Sequence, residues 1–239
     1  MEERRKQFQT YVKVCKERKL IIGQGNPLSD ILFVGCEPSR SVEDQITHTE
    51  MCLNEIGGKV FENLWGIHSK SKKKVGVHGE GATWSKYQKI VDKVYDRHND
   101  QRIIDFEVKA FCTELNNVCA SKSKDVDKST IPLKRQLFKE SDFIQSFPVV
   151  ILACGSYIVN HGENRQIEDT FGVKFEKEVS VTKDQSKKAL RYWIHYDNNT
   201  NPQKLVIHTR QLSGAITNEL LQSIGGTIRS FLEKIGRLE

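Results

Sequence analysis

Apolar positions along this chain fall either at helical spacing or in short unbroken runs. Phe8, Tyr11, Val12 and Cys15 stand at i, i+3, i+4 and i+7, which predicts an amphipathic helix over residues 3–19. GQGNP at 23–27 is a turn cluster. Ile31 to Val34 is an apolar run closed by Gly35, the pattern of a strand buried on both faces. A helix is expected over 43–56. From Gly57 to Gly81 glycine and lysine dominate with no sustained period, so a mobile surface loop is expected there, with one helical turn around Phe61 to Trp65. Thr83 is placed to cap a helix over 84–96 with Trp84, Tyr87, Val91 and Val94 as its apolar face.

Further along, Phe106 to Phe111 reads as a strand followed by TELNNVC. Residues 133–147 suit a helix bearing Leu133, Leu137, Phe138, Ile144 and Phe147, broken by Pro148. Val149 to Leu152 is a β-branched strand stopped by Gly155. Residues 173–181 and 190–196 alternate, through Val173, Phe175, Val179 and Val181 and then Leu190, Tyr192, Ile194 and Tyr196, which predicts an antiparallel hairpin. Leu205 to Ile207 is a last buried strand ending at His208. Ile216, Leu220, Leu221, Ile224, Ile228, Phe231, Leu232 and Ile235 form the wide stripe of a core helix. Short apolar strands alternating with amphipathic helices imply an α/β fold with a mostly parallel sheet covered on both faces. The expectation is a three-layer α/β/α domain over 1–239, with a central, mostly parallel four-stranded sheet and the hairpin as an excursion from it.

Composition narrows the function classes. The chain has 239 residues, 37% of them hydrophobic and 28% charged, which fits a globular domain with a solvated surface. No apolar run reaches the ~20 residues of a membrane span. The first residues, MEERRKQFQTYVKVCKERK, lack the apolar core of a secretory signal, so a cytoplasmic protein is expected. The six cysteines include no C-x-x-C pair and read as reduced thiols, with no metal or cofactor expected. A net charge of +6 permits a polyanionic partner, and Lys70, Lys72, Lys73 and Lys74 form the densest basic cluster.

In open α/β sheets, ligands bind beyond the carboxyl ends of the strands. Gly35, Cys36, Glu37, Pro38 and Ser39 follow the first strand. Glu114, Asn116 and Asn117 follow the second, Cys154 and Gly155 the third, and His208, Thr209, Arg210 and Ser213 the fourth. A carboxylate, an amide and an imidazole are thereby expected on one rim. Each also has a plainer reading: Glu37 as a turn acid, Asn116 or Asn117 as a loop cap, and His208 as a hydrogen-bonded structural histidine.

These segments resemble the motifs of the uracil-DNA glycosylase superfamily. IIGQGNPLSDILFVGCEPS at 21–39 is similar to the lead-in of its thermophile-type, family 4 members. LNNV at 115–118 resembles the asparagine motif that reads the flipped base. PVVILACG at 148–155 resembles a family strand, and VIHTRQLS at 206–213 stands where the family has its histidine motif. Order and spacing agree over residues ~20 to 235. The sequence departs from the family at Cys36, at Glu37 and at the His-Thr-Arg of 208–210. It also lacks the four-cysteine set, which implies no iron–sulfur cluster.

The resemblance implies hydrolysis of the N-glycosidic bond of uracil, or of a related deaminated base, flipped out of DNA. Departure of the base leaves positive charge on the sugar and negative charge on the base, so the site needs a donor to the base and a carboxylate near the sugar. His208 is the candidate donor, Glu37 the carboxylate, and Asn116 the amide that reads the uracil edge, with the backbone N–H groups of Cys36 and Glu37 binding a base oxygen. Ser39, Arg210, Ser213, Lys72 and Lys73 are candidate DNA contacts, Ser213 being equally placed to cap the last helix. Phe61, Trp65 and Trp84 are candidates to stack on the base. A monomer acting on DNA, with no membrane partner, is the expectation. A non-catalytic or differently specific nucleic-acid binder on the same fold is the alternative. An unrelated small-molecule α/β enzyme is the third reading, although no P-loop and no G-x-G-x-x-G occurs.

Overall fold

A computed structural model of the chain describes residues 2–37, 82–97, 106–118, 126–181, 190–214 and 216–238. The expected helix over 43–56 and the glycine- and lysine-rich segment over 57–81, with Phe61 and Trp65, lie outside the described residues.

Helix α1 (Glu2–Glu17) buries Phe8, Tyr11, Val12 and Cys15, the face its spacing predicts. Within the GQGNP segment a two-residue strand, β1 (Gln24–Gly25), precedes the turn. Strand β2 (Ile31–Gly35) is buried throughout. Helix α2 (Ala82–Val94) contains Thr83 rather than being capped by it, since the helix takes in Ala82, a strong helix former. The expected strand over 106–111 is displaced. Phe106 to Val108 form a 3-10 turn, and strand β3 runs Ala110–Glu114. Phe106 anchors that turn against Tyr87, with ring centroids 5.5 Å apart, and keeps Glu107 and Lys109 out of the sheet interior.

The single helix expected over 133–147 is two: α3 (Ile131–Glu140) and α4 (Asp142–Gln145). Ser141 between them is extended, and its side chain accepts from the Ile144 N–H, so it caps the second helix. Leu133, expected on the buried face, is 41% exposed, while Lys134 beside it is fully buried. Strand β4 (Val149–Leu152) falls as the apolar run predicts. A short polar hairpin, β5 (Asn160–His161) with β6 (Asn164–Arg165), and helix α5 (Gln166–Phe171) follow. Strands β7 (Lys174–Val181), β8 (Leu190–Tyr196) and β9 (Leu205–Thr209) and helix α6 (Asn218–Lys234) complete the described elements. The cap of α6 is Thr217, whose side chain accepts from the Leu220 N–H, so Ser213 does not cap it.

Among the described residues seven strands form one mixed sheet in the order β1-β3-β2-β4-β9-β8-β7. β2 pairs parallel with both β3 and β4, and β4 pairs parallel with β9. β1 is antiparallel to β3, β8 to β9, and β7 to β8. The expected sheet of four strands with a hairpin standing apart is therefore a wider, mixed sheet. Its hairpin continues the ladder because Tyr192 and Ile194 of β8 pack in the same cluster as Leu205 and Ile207 of β9. A register shift between Phe175 and Lys177 turns Phe175 toward His195 and leaves it 46% exposed, while Val179 packs on the opposite face.

Side-chain alternation divides the core. Leu32, Val34, Val150, Leu152 and Val206 join α1, α3, α4 and α5 in one cluster. Ile31, Phe33, Val149, Ile151 and Ile207 join α2 and α6 in the other. No helix among the described residues is long and apolar enough to cross a membrane.

Candidate functional site

Register places the carboxyl ends of the parallel strands in one row. Gly35 pairs with Glu114, Val34 with Leu152, and Leu152 with His208. Cys36 and Glu37 follow β2, Asn116 follows β3, Cys154 follows β4, and His208 is the fourth residue of β9, so all five come to one edge of the sheet. The β2 and β3 loops are stitched together beyond the strands: the Leu115 N–H donates to the Gly35 carbonyl at 3.0 Å and the Asn116 N–H to the Cys36 carbonyl at 2.8 Å.

Glu114 is the residue whose role the sequence left open. Ala110 and Cys112 before it belong to the α2–α6 cluster, so its side chain takes that face by alternation. Its carboxyl lies directly over Gly35, where an added Cβ would stand 2.1 Å from Oε2. Only glycine leaves that volume to the carboxyl. Oε2 is buried and has no hydrogen-bond partner among the described residues. Burial, and then the charge of Glu37, push the Glu114 carboxyl up to about 8, against a smaller opposing pull from Lys134. At neutral pH it is a carboxylic acid rather than a carboxylate.

The two thiols at this edge are inert. Burial, followed by Cys154 and by the two glutamates, pushes Cys36 up. Burial and Glu114 do the same to Cys154. Neither offers a thiolate as nucleophile or metal ligand, and among the described residues no group of three or more His, Cys, Asp or Glu stands together to hold a metal ion.

His208 lies on the opposite face of the sheet from Glu114, in line with Val206. Its Nε2 donates to the Gly155 carbonyl at 2.8 Å, and its ring lies 5.3 Å from that of Trp193. A carbonyl only accepts, so the proton is on Nε2 and Nδ1 of the neutral ring is an acceptor. Burial lowers the His208 pKa, and the Gly155 bond offsets this in part. The donor role expected of His208 therefore requires the ring to leave Gly155. Trp193, which donates from Nε1 to Glu178 at 3.0 Å, is an aromatic at the site that the sequence reading missed. Its signal was the β8–β9 register, which opposes it to His208. Trp84, named from sequence as a stacking candidate, packs instead against Phe106.

Asn116 is fully buried and works within its own loop. Its Oδ1 accepts from the Thr130 hydroxyl at 2.5 Å and from the N–H groups of Asn117 and Val118, and its Nδ2 donates to the Asp127 carbonyl at 2.8 Å. Asn117 ties the same loop to residues 19–21, accepting from the Ile21 N–H and donating to the Lys19 carbonyl. Both asparagines thus have the loop-capping geometry. Arg210 and Ser213 are exposed beyond β9. Lys128, its ammonium 4.7 Å from the Tyr157 ring, adds a cation beyond the strand ends. Ser39, Lys72 and Lys73 lie outside the described residues.

No protein-family model matches the chain, and no curated protein matches it.

Proposed function

We propose that this chain is a DNA base-excision glycosylase of the uracil-DNA glycosylase kind, a three-layer α/β/α domain that hydrolyses the N-glycosidic bond of uracil or a related deaminated base. The observation that carries the reading is the row of strand ends that brings Glu37, Glu114 and His208 to one edge of a mixed sheet. Glu37 supplies the carboxylate that orients water and offsets the positive charge developing on the sugar. Arg210, Ser213 and Lys128 supply phosphate contacts beside it, with Ser39, Lys72 and Lys73 added from the sequence. Asn116 shapes the base pocket through the loop it pins, and Cys36 lines its floor through its backbone.

A second reading, a nucleic-acid binder without turnover, is favoured by two observations. The Nε2 proton of His208 is committed to Gly155, and the carbonyl oxygen of Asn116 is committed to its own loop. Incubation with labelled uracil-containing DNA, single- and double-stranded, followed by alkali separates the two. Strand breaks at uracil that disappear in Glu37→Gln support the glycosylase. Tight binding with no breaks, unchanged in Glu37→Gln, supports the binder.

A further inference from the structure

Glu114 is a carboxyl at the strand-end edge that is held out of water, and among the described residues its Oε2 has no hydrogen-bond partner. Such an atom leaves water and gains nothing in return, which destabilises the fold. Its neighbours on the sheet are placed to accommodate it. Gly35 opposite gives up its side-chain volume to the carboxyl, and Tyr87 of α2 covers the same face, stacked on Phe33 at 4.1 Å. We propose that Glu114 is the proton-donating acid of this site, working with Glu37 as the base; the proposal rests on the glycosylase reading above.

The donor expected from sequence, His208, already donates to Gly155, so an acid is needed elsewhere at the edge. Glu114 carries its proton at neutral pH because burial and the adjacent Glu37 charge both oppose ionisation. Lys134 of α3 pulls the other way. Cys36, Cys112, Cys154 and Tyr87 are neutral neighbours whose own ionisation the Glu114 charge opposes.

The step balances without a further reactant. Water forms the new C1′–O bond while the C1′–N1 bond breaks and its electron pair leaves with the base. The proton of the water goes to Glu37, and the proton of Glu114 goes to the departing base. Passage of the proton from Glu37 to Glu114 then restores the pair. One water is consumed, and base and sugar each leave neutral. Two carboxyl groups, one acid and one base, are the arrangement that most glycoside hydrolases use.

The test is single-turnover release of uracil from labelled single-stranded DNA by the full chain, measured through the neutral and alkaline range, alongside binding of the same strand. The wild-type rate should fall as pH rises through about 8. Glu114→Gln should slow release about 100-fold, the scale of a lost general acid, lose the alkaline limb, and keep its affinity for the strand. A Glu114→Gln protein with wild-type rate and an unchanged alkaline limb overturns the acid role and leaves the glycosylase reading standing. A wild-type protein that releases no uracil at any pH overturns both. If Glu114→Gln fails to fold, the Glu114 carboxyl carbon of the wild type, followed by NMR, decides. Titration near 8 supports the role, and titration near the ordinary 4.5 overturns it.

Discussion

Lys134 and Glu114 are both taken out of water, and the fold treats them differently. Lys134 sits on the α1–α3 side, fully buried, and its Nζ donates to the Ile21 carbonyl and to the Tyr11 hydroxyl. Tyr11 in turn donates to the Ile22 carbonyl at 3.0 Å, so one lysine and one tyrosine tie α3 and α1 to the segment entering β1. Glu114 sits at the strand ends with Oε2 unmet among the described residues. A buried polar group with its partners in place contributes to the fold, and one without them costs stability. The difference separates a structural buried group from one available for chemistry, and it can be tested.

The largest effect should follow from Lys134→Ala. Removing it strands the Ile21 carbonyl and opens a cavity, so unfolding by denaturant should show a loss of about 3–5 kcal/mol. A loss near zero would break the comparison by showing Lys134 to be as idle as a surface lysine. Next, Gly35→Ala puts a methyl where the Glu114 carboxyl lies, 2.1 Å from Oε2. It should cost about 1–3 kcal/mol as overpacking and move the Glu114 titration toward the ordinary range as the carboxyl is driven outward.

The third effect is a slope with pH. The folded Glu114 holds its proton to about 8, whereas the unfolded chain releases it near 4.5. Between those values the folded state binds more protons, so stability falls as pH rises, by up to about 1.4 kcal/mol per unit. His195 works in the opposite direction at lower pH. Burial holds it down to about 4, so it adds stability as pH rises from 4 toward 6.5. His195 no longer contributes to the slope above 6.5, so Glu114→Gln should flatten it between 6.5 and 8. Burial lowers the Lys134 pKa, so its contribution has the opposite sign and grows as pH rises toward 10.5. The smallest effect is Glu114→Gln below pH 4.5, where both states carry the proton; stability there should stay within about 0.5 kcal/mol of wild type.

Strands β2 and β4 were legible because four consecutive apolar residues between turn signals have few other readings. The helix faces of α1 and α6 were legible from period alone. The break at Ser141 was not, because Leu137, Phe138, Ile144 and Phe147 continue a helical spacing across it, and only the Ser-Asp pair marks a new cap. The start of β3 was misplaced because Phe106 is as apolar as a strand residue and fills the core from a turn. The polar β5–β6 hairpin has no hydrophobic signal at all. At the site, Glu37, Asn116 and His208 were findable from the strand-end rule. Their hydrogen bonds were not, since the partners Gly155, Asp127 and Thr130 are fixed only by the fold. Lys134 has no signal in the apolar pattern of its helix, and Glu114 acquired its meaning only when register set it against Gly35.

The measurement that reaches the central claim most directly is chromatographic detection of free uracil released from uracil-containing DNA by the full chain, with Glu37→Gln run beside it. Free base from the wild type, lost in Glu37→Gln while DNA binding is retained, is the predicted result. Intact uracil after prolonged incubation with tightly bound wild-type protein would contradict the glycosylase reading and leave a binder on the same fold.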